Sequence, residues 1–405
     1  MRWQKPTEWC AATRIALQLP ALIDRARRSL PFATMAKLDY KTAGVDYGKI
    51  DPLKVLAQRA AADTARNLLP HGLSEVAASR GESAYVVDCG EFYLASITEC
   101  LGTKALVADA MRALQTNGTR RTYYDQIAQD TLAMAINDII TVGATPISVH
   151  AYWASGGSDW FADEERARDL VDGWKRACDA CGVAWGGGET PALAGVVEQQ
   201  RIDLAASCVG IVRPKGRLTL GEQLRAGDAI VLLASSGIHA NGISLARKLA
   251  ERLPDGYATK IDDGTLFGEA LLTPTLLYSP VTEALAAAGI VPHYCVNITG
   301  HGWRKLMRHP AALTYRIDVL PPVPPVLQFI QRHAAIDDRE AYGTLNMGAG
   351  FAVFVNDADA ERTIETARSQ GSEAWIAGRV ANGPKQVIIE PLPLTFTADD
   401  LHVRA

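Results

Sequence analysis

The 405-residue sequence contains no G-x-x-x-x-G-K-[ST] element and no G-x-G-x-x-G after a strand-like run. A P-loop and a dinucleotide-binding turn are therefore excluded, while nucleotide binding by another layout stays open. There is no lysine- or arginine-rich block, and the formal net charge is −4. Nucleic acid and membrane surfaces thus have no electrostatic footprint to bind. No run approaches the ~20 apolar residues of a membrane span. The charge-free stretches 139–158 and 229–246 are broken by Gly, Ser, His, Asn or Pro and read as buried strands and loops. A single Cys178-Asp179-Ala180-Cys181 has neither a second pair nor a His pair beside it, so zinc is not expected. Seven cysteines, an odd number, without a secretory signal point to a reducing, cytoplasmic setting.

What is present is an ordinary globular composition, 48% hydrophobic and 21% charged. At this length two domains are the default. We divide the chain into an N-terminal extension (1–38), a first domain (39–213) and a second domain (214–405), with the Lys-, Arg- and Gly-rich segment 214–227 between the domains. The extension carries an apolar helical stripe (Ile15, Leu17, Leu19, Leu22, Ile23) among arginines, and Glu8 and Asp24 argue against a transit peptide. Periodicity predicts helices over 51–69, 126–141, 164–181, 273–288, 326–333 and 358–370, the fourth opened by Thr273-Pro274 as cap and first helical proline. It predicts strands over 84–88, 91–97, 146–154, 202–212, 228–234, 351–355 and 374–380. Strands and helices interleave throughout, which favours an α+β or mixed α/β architecture.

The stretch Ile97-Thr98-Glu99-Cys100-Leu101-Gly102-Thr103-Lys104 leaves a strand and enters a helix-compatible segment. A carboxylate can bind a hard cation there while backbone N–H groups and a lysine face an anion; an ordinary turn with a solvated lysine is the bland alternative. The apolar helix 126–141 carries Asp130, Asn137 and Asp138. Positions 130 and 137 share a face, about 10 Å apart along the axis. Buried carboxylates need a cation, a donor network or a wet cleft, and spacing alone does not choose among them. Gly186-Gly187-Gly188-Glu189-Thr190 allows close backbone approach to a ligand, with a flexible loop as the alternative. Ser235-Ser236-Gly237-Ile238-His239-Ala240-Asn241-Gly242 joins a buried strand to a helix start, an anion-binding layout. The inventory as a whole suits a phosphate–Mg²⁺ site.

Eight short motifs in order resemble the phosphoribosylformylglycinamidine cyclo-ligase (aminoimidazole ribonucleotide synthetase) family. They are Tyr40-Lys41-Thr42-Ala43-Gly44-Val45-Asp46, Glu99 to Lys104, Ile136-Asn137-Asp138-Ile139, Gly187-Gly188-Glu189-Thr190, the serine–histidine–asparagine loop above, Leu271-Leu272-Thr273-Pro274-Thr275 with Ile298-Thr299-Gly300, and Leu345-Asn346-Met347-Gly348-Ala349-Gly350. The resemblance implies an α+β, two-domain fold: a first domain contributing a β-barrel to a homodimer interface, and a C-terminal α+β sandwich. It implies an ATP- and Mg²⁺-dependent ligase that closes the imidazole ring of a small nucleotide substrate in purine synthesis. Carried over by position, Lys41, Lys104 and His239 would be catalytic, and Glu99, Asp130 and Asp138 would hold metal. Gly102, Thr103, Asn137, Gly187, Gly188, Glu189, Thr190, Ser235, Ser236, Asn241, Asn346 and Gly348 would line the ligand sites.

Departures from the family pattern bear on the substrate. Glu99 stands where Asp is usual and adds a methylene; Pro191-Ala192-Leu193-Ala194 lacks an expected carboxylate; His301 and Trp303 follow Thr299-Gly300 in place of other residues. They leave two alternatives open: a divergent member activating another acceptor, and a non-catalytic nucleotide-binding paralog.

Overall fold

The computed structural model describes residues 38, 41, 43–116, 118 and 121–401. The extension expected over 1–38 lies outside them except for Leu38, as do Tyr40 and Thr42 of the first motif. Residues 38–405 group into one compact unit by their contacts. A six-stranded sheet is built from β1 (Ser74–Glu75), β2 (Tyr85–Asp88), β3 (Tyr93–Cys100), β4 (Thr145–Ser155), β5 (Ala184–Glu189) and β6 (Ile202–Val212), in the spatial order β1-β2-β3-β6-β4-β5. A seven-stranded sheet holds β7 (Ala229–Ala234), β8 (Tyr294–Asn297), β9 (Leu313–Ile317), β10 (Ala349–Val355), β11 (Ala374–Asn382), β12 (Gln386–Ile389) and β13 (Leu394–Thr397), ordered β13-β12-β9-β11-β7-β10-β8. Only β4–β5 and β9–β12 pair in parallel. The first sheet is open within one chain, with β1 and β5 as its edges, so it forms no closed barrel by itself.

The helices are α1 (Tyr47–Thr64), α2 (Ala105–Leu114), α3 (Tyr124–Ile139), α4 (Glu164–Cys181), α5 (Ile243–Ala250), α6 (Phe267–Leu271), α7 (Ser279–Ala287), α8 (Pro325–His333), α9 (Asp338–Thr344) and α10 (Ala360–Ser369). Strong local signals set the ends of α4. The Asp163 carboxylate accepts from Arg166 N, two glutamates occupy the first turn, and Gly182 ends the helix at φ +63°. On β6 buried and more exposed residues alternate, whereas β10 is buried along its whole length, as a central strand covered on both faces must be. Helix α3 packs across β3 and β6 with α4 beside it, and α10 lies on β7 and β11.

Three expectations are corrected. The helix predicted over 273–288 begins only at Ser279; residues 273–278 are irregular chain, and Lys104, just before α2, and side chains of α3 take their backbone groups. The helix predicted over 51–69 starts at Tyr47, capped by the Asp46 carboxylate, and passes into a 3₁₀ turn at Ala65–His71. The glycines at 186–188 are strand rather than loop. A Cβ on Gly188 would stand 2.1 Å from the Ala151 carbonyl oxygen, so that glycine is required by the approach of β4.

Candidate functional site

An open cleft of about 720 Å³ lies where α1, β3 and α3 meet the loops 79–83, 299–301 and the 3₁₀ turn Gly302–Met307. Its size suits a nucleotide-sized ligand. Glu99 from β3 and Asp138 from α3 both line it, beside Thr98, Asn241 and Thr299. Asn297 Nδ2 donates to Asp138 Oδ1 at 2.7 Å and fixes that carboxylate from the second sheet. Burial, together with the neighbouring Asp138 charge, pushes the Glu99 carboxyl up to about 7. A divalent cation would relieve that repulsion. Among the described residues no group of three or more His, Cys, Asp or Glu is arranged for a metal. Two carboxylates completed by ligand phosphates and water is the donor set that Mg²⁺ commonly takes.

The cleft also carries cations that the sequence did not single out. Lys54, Arg80, Lys305 and Arg308 line it. Three are engaged: Lys54 with Asp51 at 3.2 Å, Arg80 with Glu75 at 2.6 Å, and Arg308 with Glu82 at 3.7 Å. Arg308 also donates to Gly81 O and Ser83 Oγ and so pins the loop 79–83. Lys305 is buried, donates to Thr299 Oγ1 at 2.7 Å, and makes no ion pair among the described residues. His301, at 3.5 Å from Asp51, is held down to about 2 by burial and by the surrounding cations Arg304, Lys305, Lys54 and Arg308.

Lys104 and Asp130 lie elsewhere. Both side chains are fully buried; Lys104 Nζ sits 2.8 Å from Asp130 Oδ2 and donates to Thr273 O at 3.0 Å. Asp130 Oδ1 accepts from Thr275 N and Thr275 Oγ1, at 2.8 and 2.5 Å. Asn137 accepts from Tyr278 N at 3.0 Å and donates to Leu276 O at 2.8 Å. Burial pulls the Lys104 ammonium down and pushes Asp130 up, and their mutual contact opposes both shifts. The polar residues of this apolar helix thus clamp the irregular segment 273–278, a donor network rather than a wet cleft. Gly102 takes φ +77° in the turn before α2, and Thr103 begins that helix's approach. Asp130 and Asp138 lie about 80° apart around one buried helix, and tertiary packing decides which side is closed.

The remaining residues form a second network and an edge. Ser235 Oγ donates to Asn346 Oδ1 at 2.9 Å, Asn346 Nδ2 donates to Gly237 O at 2.8 Å, and Gly348 N donates to Asn346 Oδ1 at 3.1 Å. Ser236 Oγ donates to Pro274 O at 2.6 Å, and Ser236 N donates to His239 Nε2 at 3.2 Å. Burial above all, with the Lys104 charge second, holds His239 down to about 3, so its ring is neutral. Gly187, Gly188, Glu189 and Thr190 are exposed on or just past edge strand β5, away from the cleft lining. Lys41 is exposed and 3.4 Å from Asp46.

Residues 81–212 match the family described as AIR synthase related protein, N-terminal domain, and residues 225–390 match its C-terminal domain. Phosphoribosylformylglycinamidine cyclo-ligase of Nitrosococcus oceani is 34% identical over 362 residues, covering 88% of this chain and 95% of the relative. The protein of the same name from Sorangium cellulosum is 35% identical over 352 residues, covering 85% and 95%. The chain belongs to the phosphoribosylformylglycinamidine cyclo-ligase family. Solved structures share its fold at low identity. A HypE–HypF complex aligns at TM-score 0.54 and 18% identity over 78% of this chain and 93% of that one. T. maritima PurL complexed with FGAR aligns at 0.53 and 17% over 80% of this chain and 48% of that one. None of the described helices is long and apolar enough to cross a membrane.

Proposed function

We propose that this member of the cyclo-ligase family is an ATP-dependent ligase of purine biosynthesis, acting in the cytoplasm. It converts formylglycinamidine ribonucleotide to aminoimidazole ribonucleotide, ADP and phosphate. One observation carries the reading: the family's carboxylates Glu99 and Asp138 meet in a single cleft with cations around them, the electrostatic inventory of phosphoryl activation. Mg²⁺, when bound, supplies charge neutralisation for the transferred phosphoryl group, and Glu99 and Asp138 would hold it. Asn241 and Thr299 sit on the cleft wall to orient the bound nucleotide. Lys104, Asp130 and Asn137 hold segment 273–278, whose Pro274 carbonyl accepts from Ser236 in the loop that runs on to Asn241, and Ser235, His239, Asn346 and Gly348 share that loop's hydrogen-bond network. The test is ATP hydrolysis by the purified protein with and without the ribonucleotide, following ADP and the imidazole product. ADP release that depends on the ribonucleotide and comes with ring closure supports the assignment; ATP turnover indifferent to it refutes it.

We further propose a homodimer in which two first-domain sheets close into a barrel, with Gly187–Thr190 reaching ligand through the assembly. The open sheet supports this, since β5 leaves an edge bearing the half-exposed Trp185 beside Trp153 and Trp174. Light scattering on the purified protein checks it, and a monomer at micromolar concentration overturns it.

A further inference from the structure

We propose that Lys305, rather than Lys104, is the lysine that meets a phosphoryl group in the cleft. The inference rests on the ATP-dependent reading above and assigns that site's cationic contact.

The two lysines differ in what they are free to give. Lys104 is 0% exposed, salt-bridged to Asp130 and bonded to Thr273 O. Turning it into the cleft would strand the Asp130 carboxylate in the interior and free the segment 273–278. Lys305 is 7% exposed yet lines the cleft. Thr299 Oγ1 takes one of its three ammonium hydrogens. A buried ammonium without an ion pair is expensive and is kept where it has work to do. The other cations of the cleft spend their charge on Asp51, Glu75 and Glu82. Lys305 lines the same cleft as Asp138 and Glu99, together with Arg308 and Lys54, and so shares the cavity in which a phosphate-bridged cation would sit. Its ligand is therefore a phosphoryl oxygen, from ATP or from the ribonucleotide's own phosphate.

Titration calorimetry on the full-length chain with Mg²⁺ separates the sources. A charge-assisted contact is worth about 1.5–3 kcal/mol, roughly 10- to 100-fold in affinity. Lys305→Gln is expected to weaken ATP binding by that factor, with Lys305→Arg recovering part of it; a loss confined to the ribonucleotide identifies its phosphate as the contact instead. Unchanged affinity for both ligands overturns the inference. If the wild-type protein binds ATP and Lys305→Gln binds both ATP and the ribonucleotide as tightly, only Lys305 has been misassigned; if the wild type binds no ATP, the functional reading itself falls. Lys305→Met guards against a folding effect. Removing an unpaired buried charge should raise the ligand-free melting temperature while binding is lost, whereas a lower melting temperature with full affinity would make the lysine structural.

Discussion

The Lys104–Asp130 pair offers the sharpest test of how this fold is held. Replacing Lys104 by Met keeps much of the volume but leaves the Asp130 carboxylate, fully buried, without its 2.8 Å counter-charge. Breaking a buried pair from one side costs about 3–5 kcal/mol. Two donors from Thr275 still serve Asp130 Oδ1, which favours the lower end of that range. The lost bond to Thr273 O adds about 1 kcal/mol. Lys104→Met should therefore destabilise the ligand-free protein by about 4 kcal/mol in urea unfolding followed by circular dichroism. The double variant Lys104→Met/Asp130→Asn removes both charges and keeps an acceptor for Thr275. It should recover about 2 kcal/mol, appearing as a coupling energy in a double-mutant cycle. A Lys104→Met variant that unfolds like wild type but no longer binds ATP would refute the reasoning, because the ammonium would then belong to the ligand and not to segment 273–278.

Further outcomes follow from the same geometry. Glu99→Gln and Asp138→Ala should each weaken Mg²⁺–ATP binding at least about 10-fold, read by calorimetry across a Mg²⁺ titration, since each removes one of the two carboxylates proposed to hold the cation. His239, with its folded pKa depressed from 6.5 to about 3, contributes stability that is fully present above pH 6.5 and is lost as pH falls towards 3. At pH 5 its share of the loss is about 2 kcal/mol at 1.36 kcal/mol per pH unit, and urea unfolding of His239→Gln should show the shallower acid slope. Gly188→Ala places a methyl 2.1 Å from the Ala151 carbonyl oxygen and should cost about 2 kcal/mol or push β5 off the sheet, a change visible in urea unfolding curves.

Local chemistry made much of this molecule legible. Helix α4 runs over the predicted 164–181 because its cap, first-turn carboxylates and terminal glycine all act within the segment itself. Strand β6 runs over the predicted 202–212 because one buried face imposes a period of two. The segment 273–278 departs from its predicted helix for the opposite reason. Thr273-Pro274 is a sound local start signal, but the backbone groups a helix would use are claimed by Lys104, Gln129, Asp130 and Asn137, residues well over a hundred positions away. The same distance effect sorts the carboxylates. Asp130 and Asp138, eight residues apart, already lie about 80° apart around α3, and contacts at long range decide which side is closed: Thr275 covers Asp130, while Asp138 meets Asn297 and the cleft. Lys305 lay in a run of basic residues whose natural reading is solvated surface. What distinguishes it is that Trp303 and Met307 on the same 3₁₀ turn are buried and carry the lysine inward with them. A charge becomes functional here through the packing of its neighbours, so the residue type announces the chemistry and the core decides which copy of it performs.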